Sequence, residues 1–410
     1  MKFRLMALVM VGMCVAAQAV GFEVLATIEK LDAENRVAVV FANGQHRTVA
    51  IASNVTLLNE DGSALAGGLL SPDLKPGSRV TLTVERVGNA PAILGIRLGG
   101  MAAPPAGAAS VGRPTVGMKP LTEMTAEDRY KGEDGGLYGG GRNEPPEAHA
   151  AWARDVTASI VPLDANGAPA ADGVIGLVSI SMSNATQEYS RFKQLADEDA
   201  DVAPHVEVVD CAQGGQTMAR WADAKAPCWD EAERRLARAE VSREQVQVVW
   251  VKLANAGPSG DLQSHGKQLE QDTQVVLANL VSFFPNLKIA YLGSRVYGGY
   301  ADGRLNPEPY AYEGAFVVRW LIQRQFDGDA DLNFDATRGE VQAPLLLWGP
   351  YFWGDGTTPR ASDGLTWQRS DFVADGTHPS QSGRQKVAEQ LLTFFKTDPM
   401  AKTWFLASEN

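Results

Sequence analysis

The stretch DGTHPS, residues 375–380, sets a carboxylate and an imidazole three positions apart, Asp375 and His378, shortly before the end of the chain. A carboxylate that binds one imidazole nitrogen leaves the other to take a proton, which suits general-base chemistry. Such a base needs a nucleophile, and a serine hydroxyl needs such a base at neutral pH. Candidate hydroxyls occur in SISMSNATQE, where Ser179, Ser181 and Ser183 alternate and Ser183 stands just before a helical pattern. Ser183 or Asn184 would serve equally as an ordinary cap of that helix. Two further stretches could stabilise a developing oxyanion. Gly214-Gly215 in VVDCAQGGQT lets the backbone turn sharply and approach a ligand. Asn255 in VWVKLANAGP carries an amide that either faces a site or satisfies a turn.

The elements that must position these residues are legible from residue 147 onward. Apolar runs of strand length (174–180, 206–209, 246–253, 287–293, 343–349) alternate with helical patterns (147–159, 185–196, 229–240, 266–284, 311–325, 382–396). Strands apolar throughout and separated by helices predict a parallel sheet covered on both faces. The expected fold is a flavodoxin-like three-layer α/β/α domain with a five-stranded parallel sheet, spanning 121–410. Ligands of open α/β sheets bind beyond the carboxyl ends of the strands. Ser183, Gly215 and Asn255 follow the first three strands, and Asp375 and His378 precede the last helix.

This order of residues resembles the SGNH hydrolase superfamily, or GDSL esterases and lipases, over about 170–396. The resemblance implies a nucleophile at Ser183, an oxyanion hole from the Gly215 N–H and the Asn255 amide, and a triad completed by Asp375 and His378. It implies a serine esterase with no cofactor and no metal. The usual Gly-Asp-Ser motif reads Ser181-Met182-Ser183 here. The missing Asp is not a triad member; the missing Gly leaves Ser181 as a rival nucleophile.

Loops after the fourth and fifth strands should border the site. LLLWGPYFWGDGTTPR offers Tyr351 and Trp353, which either pack in the core or stack on a sugar ring. GSRVYGGYADGRLNPEPYAYE offers Arg295, Tyr297 and Glu308 to shape a substrate. The expected substrate is a small ester or an acylated carbohydrate. A second reading keeps the fold without catalysis and binds a glycan or an envelope partner. A pure binder has no use for all five of Ser183, Gly215, Asn255, Asp375 and His378, which favours the enzyme.

The chain opens with Lys2 and Arg4, an apolar run and Ala17-Gln18-Ala19. This pattern predicts a signal peptide over 1–19, too short to span a bilayer, and a secreted or periplasmic protein that is not an integral membrane protein. Cleavage removes Cys14 and leaves Cys211 and Cys228, an even number in an oxidising compartment, so a Cys211–Cys228 disulfide is expected; two buried thiols are the alternative. No histidine stands near them at zinc-ligand spacing. Residues 22–98 alternate apolar and polar between Asn43-Gly44, Asp61-Gly62 and Pro76-Gly77, which predicts a small all-β barrel or sandwich. The segment is similar in pattern to OB-like barrels of bacterial secreted proteins. Residues 99–120, rich in Ala, Gly and Pro, read as a linker.

DGDADLNFD, 327–335, has the alternating acids of a calcium loop, but no Gly stands at position six and position twelve is Arg338 and not a Glu, so it reads as a polar connection. His46, His149, His205 and His265 read as solvated or structural. Of 410 residues, 45% are hydrophobic and 21% charged, enough for globular cores. The net charge of −12 argues against nucleic acid as a partner.

Overall fold

The computed structural model describes residues 22–42, 45–59, 63–87, 90–98, 113–301 and 305–407. The expected signal peptide, Cys14, the pairs Asn43-Gly44 and Asp61-Gly62 and residues 99–112 of the expected linker lie outside the described residues. The chain divides into two compact units, with the break after Ala109.

The first unit is a closed barrel of β1 (Phe22–Asp32), β2 (Val37–Ala42), β3 (Gln45–Leu58), β4 (Arg79–Val87) and β5 (Ala90–Leu98), in the order β1-β2-β3-β5-β4. The alternation seen in the sequence sets its interior: Ala26 and Ile28, Ala38 and Val40, Val49 and Ile51, and Val80, Leu82 and Val84 are all buried. Ile93 and Ile96 share that interior although they stand three apart. The β4–β5 pairing skips from Thr83 opposite Gly95 to Val84 opposite Ile93, so Leu94 is the extra residue of a bulge. His46 lies on the surface and pairs with Glu29.

The second unit holds β6 (Ile175–Ile180), β7 (Val206–Asp210), β8 (Val246–Lys252), β9 (Ile289–Gly293) and β10 (Leu345–Trp348) in one sheet of order β10-β9-β8-β6-β7, every pair parallel. Its helices are α1 (Glu147–Thr157), α2 (Ser183–Glu198), α3 (Met218–Trp221), α4 (Pro227–Arg238), α5 (Lys267–Phe283), α6 (Tyr310–Phe326), α7 (Gln381–Thr397) and α8 (Lys402–Phe405). Every residue of β6, β8, β9 and β10 is buried, which is why those runs are apolar without alternation. The chain steps from β6 to the edge strand β7, then returns past β6 to β8. Right-handed crossovers therefore put α2 on one face and α4, α5 and α6 on the other. α2 packs on α7, and α5 packs on α3 and α6. The reversal of direction between β6 and β8 opens a crevice at their carboxyl ends, and both strands deliver candidate residues there. No helix among the described residues is long and apolar enough to cross a membrane.

Residues 113–120 are not linker. The Arg113 N–H donates to Gly299 O, and the Asp355 carboxylate accepts from Val116 N (2.7 Å) and Gly117 N (2.9 Å), which fastens this segment to the loops after β9 and β10. Its Pro and Gly content looks like linker composition, but the same residues suit an extended strap held by backbone hydrogen bonds.

Candidate active site

β6 ends at Ile180, and two residues later the chain enters α2. Ser181 is fully buried and its Oγ donates to Lys252 O at the end of β8 (2.6 Å). Met182 is extended and caps α2 without a side-chain bond, so Ser183 is the first helical residue. The bland reading of Ser183 or Asn184 as a cap is not what the fold uses. Ser183 stays half-buried, with its hydroxyl at the sheet edge and its N–H at the positive end of a 16-residue helix.

His378 Nε2 lies 2.8 Å from Ser183 Oγ, and His378 Nδ1 lies 2.6 Å from Asp375 Oδ2. The turn that carries the pair is built by Gly376. Its φ of +64° is open to glycine, and a Cβ there would fall 1.7 Å from Tyr300 O. Asp375 Oδ1 accepts from the N–H groups of Thr377 (2.8 Å) and His378 (2.9 Å), which fixes the carboxylate. Burial alone would raise the Asp375 carboxyl. The hydrogen bond and charge of His378 and the two backbone donors outweigh it and hold the group below the usual carboxylate range. An ionised Asp375 makes Nδ1 the protonated nitrogen and leaves Nε2 to accept from the Ser183 hydroxyl. Asn184, next to the serine, donates to Thr377 O (2.7 Å) and so locks the start of α2 to the histidine turn.

The oxyanion candidates come from two loops that are bonded to each other and to the serine turn. Gln213 N donates to Ser181 O, and Met218 N donates to Ala254 O, each at 3.1 Å. Gly215 has φ +76°, is exposed and has open space where a Cβ would stand. Among the described residues no carbonyl accepts from the N–H of Ser183 or of Gly215. Asn255 is half-buried; its Oδ1 accepts from Ala219 N (2.9 Å) and its Nδ2 donates to Asp272 Oδ2 (2.6 Å). Among the described residues nothing accepts from the second Nδ2 hydrogen.

Four residues expected to touch substrate belong instead to the interior. Trp353 is fully buried and donates from Nε1 to Glu308 (2.7 Å), and Tyr351 is 6% exposed with its hydroxyl accepting from Leu121 N (3.1 Å). Tyr297 is 1% exposed and donates to Arg113 O (2.5 Å). Neither ring after β10 offers a face to a sugar, because α6 and the segment 113–124 cover them. Arg295 is 3% exposed; its one hydrogen bond among the described residues runs from Nη1 to Met182 Sδ (3.8 Å), directly behind the serine.

The expected disulfide is also absent: Cys211 and Cys228 are free, buried thiols. Cys211 directly follows β7 and aims its Sγ at Ala232 O in α4, while Cys228 sits in the first turn of that helix. Burial raises both thiols, Cys228 to about 11.

Glu308, named above as a substrate-shaping group, accepts from Gly298 N (2.8 Å), Tyr312 N (3.0 Å) and Trp353 Nε1, yet burial still lifts its carboxyl to about 7. Between the ordinary glutamate value of 4.5 and about 7 the folded chain therefore holds a proton that the unfolded chain releases. This contribution to stability is complete below pH 4.5 and is lost as the pH rises through 7, an expected fall of about 3 kcal/mol. Urea unfolding of the native chain and of Glu308→Gln at pH 4.5 and 7.5 checks it; the difference between the two proteins should change with pH by that amount.

Beneath the serine lies a pair that the sequence does not advertise. Lys252 ends a strand that is apolar apart from Gln247, and its Nζ is 2.5 Å from Glu188 Oε2 on α2, with both side chains at most 1% exposed. Burial pulls the ammonium down to about 8 against the opposing pull of Glu188. The pair ties α2, and with it Ser183, to β8. Lys252→Met strands the Glu188 carboxylate in the core and should cost about 3–5 kcal/mol in chemical denaturation. Adding Glu188→Gln should recover most of that loss; equal stability of Lys252→Met and the native chain would contradict it.

Asp329 in the acidic segment 327–335 is bound by Arg324 (2.7 Å) and by Asp331 N (3.0 Å), and no group of three His, Cys, Asp or Glu among the described residues is placed to hold a metal ion.

No protein-family model matches the sequence, and no curated protein sequence does. Solved structures give distant likenesses. A protein provisionally named an acylhydrolase, from Bacteroides fragilis, is 12% identical, with 64% of this chain and 100% of that chain covered and a TM-score of 0.33. The periplasmic domain of a lipopolysaccharide acetyltransferase from Salmonella ser. Paratyphi A is 12% identical, with 54% and 84% covered and a TM-score of 0.30. Residues 6–88 of apo-CusF from Escherichia coli are 11% identical, with 22% and 99% covered and a TM-score of 0.16.

Proposed function

We propose that the α/β unit is a serine hydrolase that cleaves a carboxylic ester, working on a small ester or an acyl group carried by a carbohydrate. The observation that carries this reading is the continuous alignment of Ser183 Oγ, His378 and Asp375, at 2.8 and 2.6 Å. Ser183 Oγ attacks the ester carbonyl while His378 Nε2 takes the hydroxyl proton. The tetrahedral oxyanion is held by the N–H groups of Ser183 and Gly215 and by the Asn255 amide. Collapse breaks the ester C–O bond, and the imidazolium returns the proton to the departing alcohol. Water then attacks the acyl-enzyme; His378 takes its proton and passes it to Ser183 Oγ, and the carboxylic acid leaves. Asp375 stays ionised throughout and supports the imidazolium. Export through the sequence at 1–19 would place this activity outside the cytoplasm.

The test is hydrolysis of p-nitrophenyl acetate and of acetylated oligosaccharides by the purified full chain. Steady release of nitrophenol or acetate supports the reading. A chain that binds the oligosaccharides but releases neither product would support the non-catalytic alternative.

A further inference from the structure

An asparagine at a loop position often has its side chain free to turn, yet three polar groups of Asn255 are committed here. Its Oδ1 accepts from Ala219 N (2.9 Å), its Nδ2 donates to Asp272 Oδ2 (2.6 Å), and its backbone oxygen accepts from Asn306 Nδ2 (3.2 Å). The two side-chain bonds fix which way the amide points. A flipped amide would set its oxygen against a carboxylate and its NH2 against an N–H, so both contacts would turn repulsive. Asp272 lies on α5, half-buried, and its other oxygen accepts from Gln268 Nε2 (3.0 Å). No Lys or Arg among the described residues pairs with it. The same helix also holds α3: Asn279 Nδ2 donates to Trp221 O (3.1 Å) and Ala222 O (3.0 Å). α3 is the short helix that follows Gly215 and supplies Ala219 N. α5 thus braces both loops that carry the proposed oxyanion donors, and Asp272 is the point where it grips the amide.

We infer that Asp272 is a positioning residue of the oxyanion hole: its carboxylate takes one Nδ2 hydrogen of Asn255 and so holds the other in a fixed direction for the substrate oxyanion. The inference rests on the esterase reading above. It separates the carboxylate's two properties. As an acceptor it orients Asn255, which helps. As a negative charge near a developing oxyanion it opposes that charge. Asp272→Asn keeps the acceptor and drops the charge, whereas Asp272→Ala or Asp272→Leu drops both.

The experiment is steady-state hydrolysis of p-nitrophenyl acetate by the full chain, with thermal melting of each variant. Asn255→Ala should lower kcat about 10²–10³-fold. Asp272→Ala and Asp272→Leu should each lower kcat about 10–100-fold with KM changed less than about 3-fold, since the loss falls on the transition state. Asp272→Asn should keep kcat within about 3-fold of the native chain or raise it. In the Asn255→Ala background, Asp272→Ala should change kcat by less than about 3-fold, because the group it positions is gone. Leucine keeps the bulk of the site, so it carries the test should alanine melt early. Native kcat in both Asp272→Ala and Asp272→Leu overturns the inference, as does an equal loss in the two backgrounds. Failure of the esterase reading looks different: the native chain would then release no nitrophenol, or Ser183→Ala would turn over ester as fast as the native chain.

Discussion

Ser183→Ala should reduce ester hydrolysis by about 10⁴–10⁶-fold while the protein melts at its native temperature. The asymmetry follows from where the hydroxyl sits. Ser183 Oγ makes its bond to His378 at the edge of the crevice, and Ser183 provides no cap to α2, so removing the hydroxyl leaves strand, helix and turn in place. Ser181→Ala should show the opposite pattern. That hydroxyl is buried on Lys252 O, so its loss should cost about 1 kcal/mol of stability and leave turnover nearly intact. Kinetics and melting of the two variants side by side check the assignment. An inactive Ser181→Ala beside an active Ser183→Ala would move the nucleophile two residues back, to Ser181.

His378→Ala should fall as far as Ser183→Ala, and the double variant should be no worse than either single one. Serine and histidine act as one unit: without the imidazole the hydroxyl keeps its proton, and without the hydroxyl the imidazole has nothing to activate. Asp375→Ala should fall less far, by about 10⁴-fold, since the imidazole remains but loses the group that sets its tautomer. Additive losses in the double variant would mean that the two residues work separately, against the 2.8 Å bond between them.

Much of this arrangement can be read in the sequence because it is local. Ser183, Gly215 and Asn255 each follow an apolar strand within a few residues, and Asp375 and His378 share one turn built around Gly376. Strand order then does the assembly, since parallel strands bring all their carboxyl ends to one edge. What the sequence hides is burial by distant segments. Tyr351 and Trp353 have the same composition whether they face a sugar or a helix, and it is Leu121 and Tyr312, far away in the chain, that close over them. The ring centroids of Tyr312 and Trp353 are 4.7 Å apart. Cys211 and Cys228 are likewise free and buried: the first directly follows β7 with its Sγ on Ala232 O, and the second sits in the first turn of α4. Lys252 is concealed differently. A lysine closing an apolar strand reads as a boundary residue, and only the packing of α2 shows that Glu188 meets it. Asp272 is invisible without the fold, because nothing in a helix surface position foretells which loop amide it will grip.

The most direct test of the nucleophile is covalent. An alkyl fluorophosphonate reacts with a serine whose hydroxyl is activated by a neighbouring base and whose phosphonyl oxygen can enter an oxyanion hole. Peptide mass spectrometry of the labelled full chain should find one adduct, on Ser183, and none when His378→Ala is labelled in the same way. An adduct on Ser181, or no adduct on a folded chain, would contradict the mechanism proposed for this site.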